Sequence, residues 1–445
     1  MKFESNHLAD WLAHIEALHA IPIDMGLDRM REMVKRLGIT FKGQTTILVG
    51  GTNGKGSSCA LLEHIYRAAD YTTGMHTSPH LMRVNERCVI NGKEVSDERL
   101  IDAFREVEAA RAEMTLSYFE YTGLAFLKIF QDEALDVVIL EIGLGGRLDA
   151  MNVIDANAAL IATVGIDHVA FLGNTREKIG WEKAHIYRQG APAVLADPDT
   201  PESVREVAQQ FGALKTFLNE DYRYTINADG TWNFTLGELS WTNLPPSNLV
   251  GRNQYQNAAG VLAVVARLLS RVPVTRDAIE KGLQTVRLAG RFEVVQKTPY
   301  PIVIDVGHNP QAASVLRRNI LDTKRPGERT MAVFGMLADK DMQSVAGLLK
   351  DVVDAWYIAS LTGPRAATAE QLAAAMVAAG VDETRIQRYD DVVSALASAR
   401  SDALKVCKCE NSGREACEPV RMIIFGSFVT VTAAAEALAK DGIVM

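Results

Sequence analysis

The chain has 445 residues, 48% of them apolar and 23% charged, and a net charge of −8. That length exceeds one ordinary core and reads as two or three domains of globular balance, while the acidic charge argues against a broad nucleic-acid-binding or anionic-membrane surface. No run of roughly 18 uncharged apolar residues is long enough to span a bilayer, MKFESNHLADWLAHIEAL lacks a signal-peptide apolar core, and the five cysteines point to a reducing, cytoplasmic setting.

The first 40 residues read as helical. Trp11, Ile15 and Leu18 recur at helical spacing, and IPIDMGLDRM leads into a second helix ending near Gly38. TTILV (45–49) is a buried strand, GGTNGKGSS (50–58) a glycine loop, and SSCALLEHIYRAA a helix. LDVVILEIG (135–143), AALIATVGI (158–166) and APAVLA (191–196) are further strands of the buried parallel type. From about 215 to 250 the pattern alternates around Asp229-Gly230, which reads as antiparallel hairpin strands. QNAAGVLAVVARLL (256–269) is an apolar helix. Past TVRLAGRF (285–292) the alternation restarts, with PIVIDVG, TMAVFGM, AWYIAS and MIIFGS as strands between helices such as AEQLAAAMVAAG.

The expected fold class is α/β. An N-terminal P-loop ATPase-like domain with a small antiparallel hairpin region covers 1–289, and a C-terminal Rossmann-like α/β domain covers 290–445. Cys407, Cys409 and Cys417 cluster without a nearby His as a fourth zinc ligand and read as free thiols in a polar surface loop.

The glycine loop departs from the regular G-x-x-x-x-G-K-[ST] spelling: Val49 holds the first glycine position, and Gly56 follows Lys55. Its strand–loop–helix context is still that of a phosphate site, where backbone N–H groups and a helix N-terminus favour anions. Gly51, Gly54 and Gly56 permit the tight backbone, Lys55 bridges terminal phosphates, and Ser57 or Ser58 offers a hydroxyl to Mg²⁺. Glu141 ends an apolar strand and should emerge at the carboxyl edge of the sheet beside this loop, where a hard oxygen suits Mg²⁺; the plain alternative is a carboxylate capping a strand end.

GTNGKGS is followed in order by HTSPHLMRVNERCVINGKEVSD (76–97), SYFEYTGLAFL (117–127), LEIGLGGRLDAMNVI (140–154), IDHVAFLG (166–173), WEKAHIYR (181–188), LAGRFEVV (288–295) and DVGHNPQAA (305–313). Together these segments resemble the folylpolyglutamate synthase/dihydrofolate synthase family, relatives of the Mur ligases, over nearly the whole chain. The resemblance implies a Mur ligase-type ATPase domain and a Rossmann-like domain with the active site in the cleft between them. It implies ATP-dependent joining of L-glutamate to dihydropteroate and to reduced folates through an acyl phosphate. No coiled-coil pattern forces assembly, so a cytoplasmic monomer without a nucleic-acid or membrane partner is expected.

The resemblance also implies roles for single residues. Lys55, Lys183 and His308 would be catalytic; Gly54, Lys55, Gly56, Ser57, Asn257, Arg291 and Asp305 would bind ATP. Ser57, Ser78, Glu141, His168 and Lys183 would hold two Mg²⁺ ions, Lys183 as a carbamate; read from the residues alone, Lys183 is a helix-surface lysine paired with Glu182 or a nearby acid. Asp24, Met25, Gly26 and Leu27, then Ser117, Tyr118, Phe119 and Glu120, then Leu148, Asp149 and Ala150, would bind dihydropteroate or folate. TSPHLMRVNER (77–87) would cover the site, with Arg83 and Arg87 either holding carboxylates or making surface salt bridges. Two positions depart from the family's pattern: Met151 stands for the usual threonine and Gly307 for the usual alanine. A folylpolyglutamate synthase alone, another Mur-type amide ligase and a nucleotide-driven switch are the competing readings; IDMGL and SYFEY argue against the second, and the second α/β domain against the third.

Overall fold

The computed structural model describes residues 3–21, 24–363, 365–407 and 419–443. The chain divides into two compact units, Met1–Asn248 with Gln254–Arg287, and Leu249–Asn253 with Leu288–Met445.

The strands of the first unit's main sheet are β1 (Thr45–Gly50), β2 (Thr73–His76), β3 (Cys88–Ile90), β4 (Lys93–Glu94), β5 (Val137–Glu141), β6 (Ala158–Ile161), β7 (Pro192–Leu195) and β8 (Leu214–Phe217). They lie in the order β4-β3-β2-β5-β1-β6-β7-β8, parallel from β2 to β8, with β3 and β4 added antiparallel at one edge. β1 and β5 are buried at every position, as continuous apolar runs inside a parallel sheet must be. The run AALIATVGI keeps strand geometry only to Ile161. Beyond it the chain turns under the glycine loop, where the Thr52 N–H donates to Thr163 O (2.7 Å) and the Asn53 N–H to Thr163 Oγ1 (3.0 Å).

The helices of this unit are α1 (Leu8–Ala17), α2 (Asp28–Leu37), α3 (Lys55–Ala68), α4 (Asp97–Arg111), α5 (Tyr118–Asp132), α6 (Val169–Leu172), α7 (Arg176–Ala184), α8 (Glu202–Gln210), α9 (Asn253–Leu268) and α10 (Arg276–Thr285). Trp11 and Ile15 of α1 and Met30 and Met33 of α2 join Phe104, Tyr121, Phe126 and Phe130 in one buried cluster that reaches Leu48 and Leu140 of the sheet. That burial fixes the N-terminal segment against α4 and α5. Strands β9 (Tyr222–Ile226), β10 (Trp232–Leu236) and β11 (Leu239–Leu244) form a separate antiparallel meander; Asp229 Oδ1 accepts the Thr231 N–H (2.9 Å) at its first turn.

The second unit is built on β12 (Glu293–Gln296), β13 (Ile302–Asp305), β14 (Arg329–Phe334), β15 (Ala355–Ala359), β16 (Ile386–Tyr389) and β17 (Val420–Phe425). Their order is β12-β13-β17-β14-β15-β16, all parallel except β12. Its helices are α11 (Pro310–Thr323), α12 (Met342–Leu349), α13 (Ala369–Ala378), α14 (Val392–Cys407) and α15 (Phe428–Lys440). Parallel strands alternating with helices give the doubly wound form read from the sequence.

Among the described residues no helix is long and apolar enough to cross a membrane. Cys59 and Cys88 are free and buried. Cys409 and Cys417 lie outside the described residues, so the reading of the cysteine cluster does too.

Candidate active site

The glycine loop joins the central strand β1 to α3. Gly54 has φ +87°, and a β-carbon there would fall 2.5 Å from Asn257 Oδ1 and 3.2 Å from the Ala162 Cβ. Gly51 has φ +141°, and a β-carbon there would fall 3.1 Å from two backbone nitrogens, Ala162 and Thr163. Glycine is required at both places by backbone conformation and by space. Asn257 of α9 is therefore a buried support beneath the loop; its amide donates to Gln254 Oε1 (2.9 Å).

Helix α3 begins at Lys55, and Gly54 gives it no side-chain cap. The N–H groups of its first turn have no partner inside the helix and face the end of the sheet, which makes an anion site. The Ser58 hydroxyl donates to Gly54 O (2.9 Å) and is spent on its own helix. Ser57, buried beside it, makes no such bond among the described residues.

Two lysines meet over this loop. Lys55 Nζ donates to Gly51 O (3.1 Å) and Thr52 O (3.3 Å), and Lys183 Nζ donates to the same Gly51 oxygen (3.0 Å). Lys183 lies in the last turn of α7 and is only 4% exposed, so the surface-lysine reading does not hold; Glu182 pairs instead with Arg147 (3.0 Å). Burial, and then the charge of Lys55, hold the Lys183 ammonium down to about 7, against the pull of Asp167 and Asp149.

Glu141 closes β5 in register with Val49 at the end of β1 and is buried. Its Oε2 accepts the Ser78 N–H (3.1 Å), which ties the 77–87 loop to the sheet edge. His168 starts the short helix α6 with φ +50° and follows Asp167. Among the described residues no three or more His, Cys, Asp or Glu side chains are grouped to hold a metal ion. A hydroxyl and one or two carboxylates beside a phosphate site still fit Mg²⁺, which keeps waters and takes phosphate oxygens.

The 77–87 loop is a pinned structure. Glu86 accepts the N–H groups of Leu81, Met82 and Arg83 (2.7, 2.6 and 2.7 Å). Arg87 donates from Nε to His80 Nδ1 (2.7 Å) and lies over the Tyr118 ring at 5.6 Å. Burial and the Arg87 charge push His80 down to about 4, so it stays a neutral acceptor. Arg83 is exposed and pairs with Asp97 (2.8 Å), which is the salt-bridge alternative.

The residues assigned to a pterin divide into two groups. Phe119 lies over Gly143, where a β-carbon would fall 2.7 Å from its ring and 3.3 Å from Asp149 Oδ2. Asp149 caps the 3₁₀ turn Ala150–Val153, accepting the N–H groups of Met151 (3.0 Å) and Leu144 (2.8 Å); burial raises it to about 6. Leu148 is half-buried beside it, and Met25 reaches toward Gly145 and Leu172. Met151 is a core residue whose Cε sits in the notch left by Gly123 on α5.

Ser117 and Glu120 form a capping box at the start of α5, Glu120 Oε2 accepting the Ser117 N–H and hydroxyl (both 2.9 Å). Arg29 of α2 bridges Glu120 (3.0 Å) and Asp24 (2.7 Å), and His19 approaches Asp24 at 3.1 Å. Gly26 and Leu27 carry the chain from Asp24 into α2. Arg29 and His19 are absent from the sequence reading. The signal for Arg29 was weak: a cation in the first turn of a helix five residues after an acid. Arg29→Met would leave the Glu120 carboxylate buried without its cation. The expected loss is about 3 kcal/mol, the lower end for a broken buried pair because Arg29 keeps some solvent contact, measured by urea denaturation.

In the second unit, Asp305 ends β13, and its carboxylate accepts the Phe292 N–H (3.0 Å) and the Gly307 N–H (2.7 Å). An alanine β-carbon at 307 would fall 2.7 Å from Asp305 Oδ1, so glycine permits this close turn. Arg291 lies over the Phe428 ring at 5.6 Å, and His308 approaches the same ring at 6.5 Å, with Nδ1 2.9 Å from Val306 O. These three residues and the start of α15 therefore share the carboxyl edge of this sheet.

Residues 49–265 match the Mur ligase middle domain, and 290–408 match the Mur ligase, glutamate ligase domain. The chain is 41% identical over 401 residues to the Escherichia coli dihydrofolate synthase/folylpolyglutamate synthase, covering 90% of this chain and 92% of that protein. It is also similar to the solved E. coli FolC in complex with DHPP and ADP, with 38% identity, TM-score 0.88 and 98% of each chain covered. A Yersinia pestis folylpolyglutamate synthase/dihydrofolate synthase complexed with AMPPNP and Mn ion matches with 38% identity and TM-score 0.86, over 97% of this chain and 98% of that one.

Proposed function

The chain belongs to the dihydrofolate synthase/folylpolyglutamate synthase family of Mur ligases, and from that premise we propose that it uses ATP to join L-glutamate to dihydropteroate and to folylpolyglutamates. It works as a cytoplasmic monomer on small molecules, without a nucleic-acid or membrane partner. The observation that carries this reading is the meeting of Lys55 and Lys183 at one carbonyl of the glycine loop, Gly51 O, ahead of an uncapped helix start and near the strand-end carboxylate Glu141.

A carboxylate repels an incoming amine and has no leaving group. Transfer of the ATP γ-phosphoryl group to it forms a C–O–P bond, releases ADP and gives an acyl phosphate. The glutamate amine, having lost a proton, attacks the carbonyl carbon; the amide forms and inorganic phosphate leaves. Such a transfer depends on positioning and charge neutralisation. The N–H groups of Gly54, Lys55, Gly56 and Ser57 receive phosphate oxygens, and the Lys55 ammonium moves from its loop carbonyls onto the terminal phosphates.

Ser57, Ser78, Glu141, His168 and a carbamate on Lys183 would hold two divalent cations, which when bound neutralise phosphate charge. A depressed Lys183 supports the carbamate, since only the neutral amine adds CO₂. Asn257 supports the loop under the nucleotide. Arg291 offsets phosphate charge, Asp305 accepts ribose hydroxyls, and His308 assists catalysis. Phe119, with Tyr118, Leu148, Asp149, Ala150 and Met25, receives the pterin, while Asp24 and Glu120 are set in place by Arg29. Arg87 supplies a guanidinium for a substrate carboxylate.

Dihydropteroate labelled with ¹⁸O in its carboxyl group tests the reaction. One labelled oxygen should pass to inorganic phosphate per turnover; unlabelled phosphate would overturn the acyl-phosphate route. A second prediction concerns Gly146, where a β-carbon would fall 2.6 Å from Glu182 O and 2.9 Å from Lys183 Cα. Gly146→Ala should displace Lys183 and lower kcat at least roughly tenfold, because small misplacements at a reacting centre are expensive. Steady-state kinetics alongside circular dichroism would separate this from unfolding.

A further inference from the structure

His76 is the last residue of β2 and 1% exposed. Its Nδ1 lies 2.8 Å from Arg87 O, a carbonyl that can only accept, so Nδ1 carries the proton. Nε2 of the uncharged ring is then a bare lone pair, and this buried atom has no hydrogen-bond partner. Two aromatic rings flank the imidazole. Phe126 is 5.3 Å away and belongs to the closed core; Phe119 is 6.1 Å away and keeps some exposed surface. A buried acceptor left unpaired calls for a donor that arrives later or for an ordered water. Apolar rings on two sides favour a ligand's donor over a water, which needs two to four polar partners.

We propose that His76 Nε2 is a substrate contact that accepts a hydrogen bond from an N–H donor of the pteridine bound beside Phe119. This rests on the reading that places the pterin at Phe119. A pteridine is flat and carries N–H donors on its edge, so it can meet an aromatic face and a lone pair together. His76 also anchors the carbonyl of Arg87, whose side chain lies over Tyr118, so one imidazole orders both the pinned loop and the pterin pocket.

The direct test is nitrogen NMR on the full chain with ¹⁵N-labelled histidine, the His76 signals being identified by their loss in H76Q. In the free protein Nε2 should resonate as an unprotonated, unbonded nitrogen, and dihydropteroate should move it upfield while ATP alone leaves it in place. If dihydropteroate binds by calorimetry and the signal does not move, or if Nε2 is already hydrogen-bonded in the free protein and stays so, the contact is refuted. If dihydropteroate does not bind at all, the pterin reading itself falls, and this inference with it.

Kinetics give an independent measurement. H76N keeps a donor for Arg87 but loses the distal acceptor, and should raise KM for dihydropteroate about tenfold, the weight of one neutral hydrogen bond. H76Q restores an acceptor at the distal position and should recover most of that loss. Neither variant should change KM for ATP more than about twofold. Equal effects on both substrates, or no recovery in H76Q, would mean a structural role and overturn the contact.

Discussion

Lys55→Ala is expected to reduce turnover by at least about 10²–10³-fold with dihydropteroate and with a reduced folate alike, in a protein that still folds. In the free chain Lys55 Nζ rests on the carbonyls of Gly51 and Thr52, so the ammonium is held at the loop before any anion arrives. On the proposed reading it is therefore close to where β- and γ-phosphate oxygens would sit at the uncapped start of α3. Removing it takes away a charge that neutralises the transferring phosphoryl group and leaves the backbone N–H groups to act alone. Alanine is well suited to a helix start, and Lys55 is not a core residue, so the fold should survive. A pre-steady-state measurement of ADP formation, with circular dichroism as the fold control, checks this. Equal loss with both acyl substrates is part of the prediction, because the phosphoryl donor is common to them. Turnover unchanged by the substitution would show that this loop does not carry the nucleotide.

The sequence made the frame of the candidate site legible because β1, the glycine loop and α3 are contiguous. Apolar runs, glycines at fixed positions and a following helix are local signals, and Glu141 could be placed at a sheet edge by counting along its strand. Harder to see was everything that depends on residues far apart. β2 was missed because TGMH is short and includes Gly74, a residue that favours no strand. Its glycine is there because a β-carbon would run into Leu135 and Phe130, at 2.5 and 2.8 Å. The strand AALIATVGI was read too long, since its last residues keep an apolar pattern while bending to support the glycine loop. Arg29 reaches Glu120 across 91 positions, and His76 reaches Arg87 through a loop, so neither pairing has a periodic signature. Lys183 shows the limit most clearly: a lysine next to a glutamate on a helix reads as a surface pair, and only the packing of α7 buries it.

Lys183→Met should abolish turnover, by at least about 10²-fold, yet raise thermal stability near neutral pH. The two effects have one cause. The native fold keeps this ammonium at about 7 against an ordinary value of 10.5, first through burial and then through Lys55. Between those values the unfolded chain binds the proton and the folded chain releases it. Stability therefore falls as pH drops from 10.5 toward 7, and below 7 the penalty is complete and constant. Methionine has similar length and no charge to desolvate, so the variant escapes the penalty. Its advantage in Tm should be greatest at or below neutrality and should shrink as pH approaches 10.5. Calorimetry in CO₂-free buffer at about pH 6.5, 8.5 and 10 reads this directly, since a carbamate would otherwise stabilise the wild type alone. A variant less stable at every pH would mean that the bond to Gly51 O outweighs the cost of burial, and the lysine would then be a structural tie. The functional half is separable. With ¹³C-bicarbonate the wild type should show a carbamate carbon that the variant lacks, and its activity should fall in CO₂-free buffer. Both outcomes together, a stability cost relieved by methionine and a carbamate lost with the lysine, would mean that Lys183 is held over the glycine loop for chemistry.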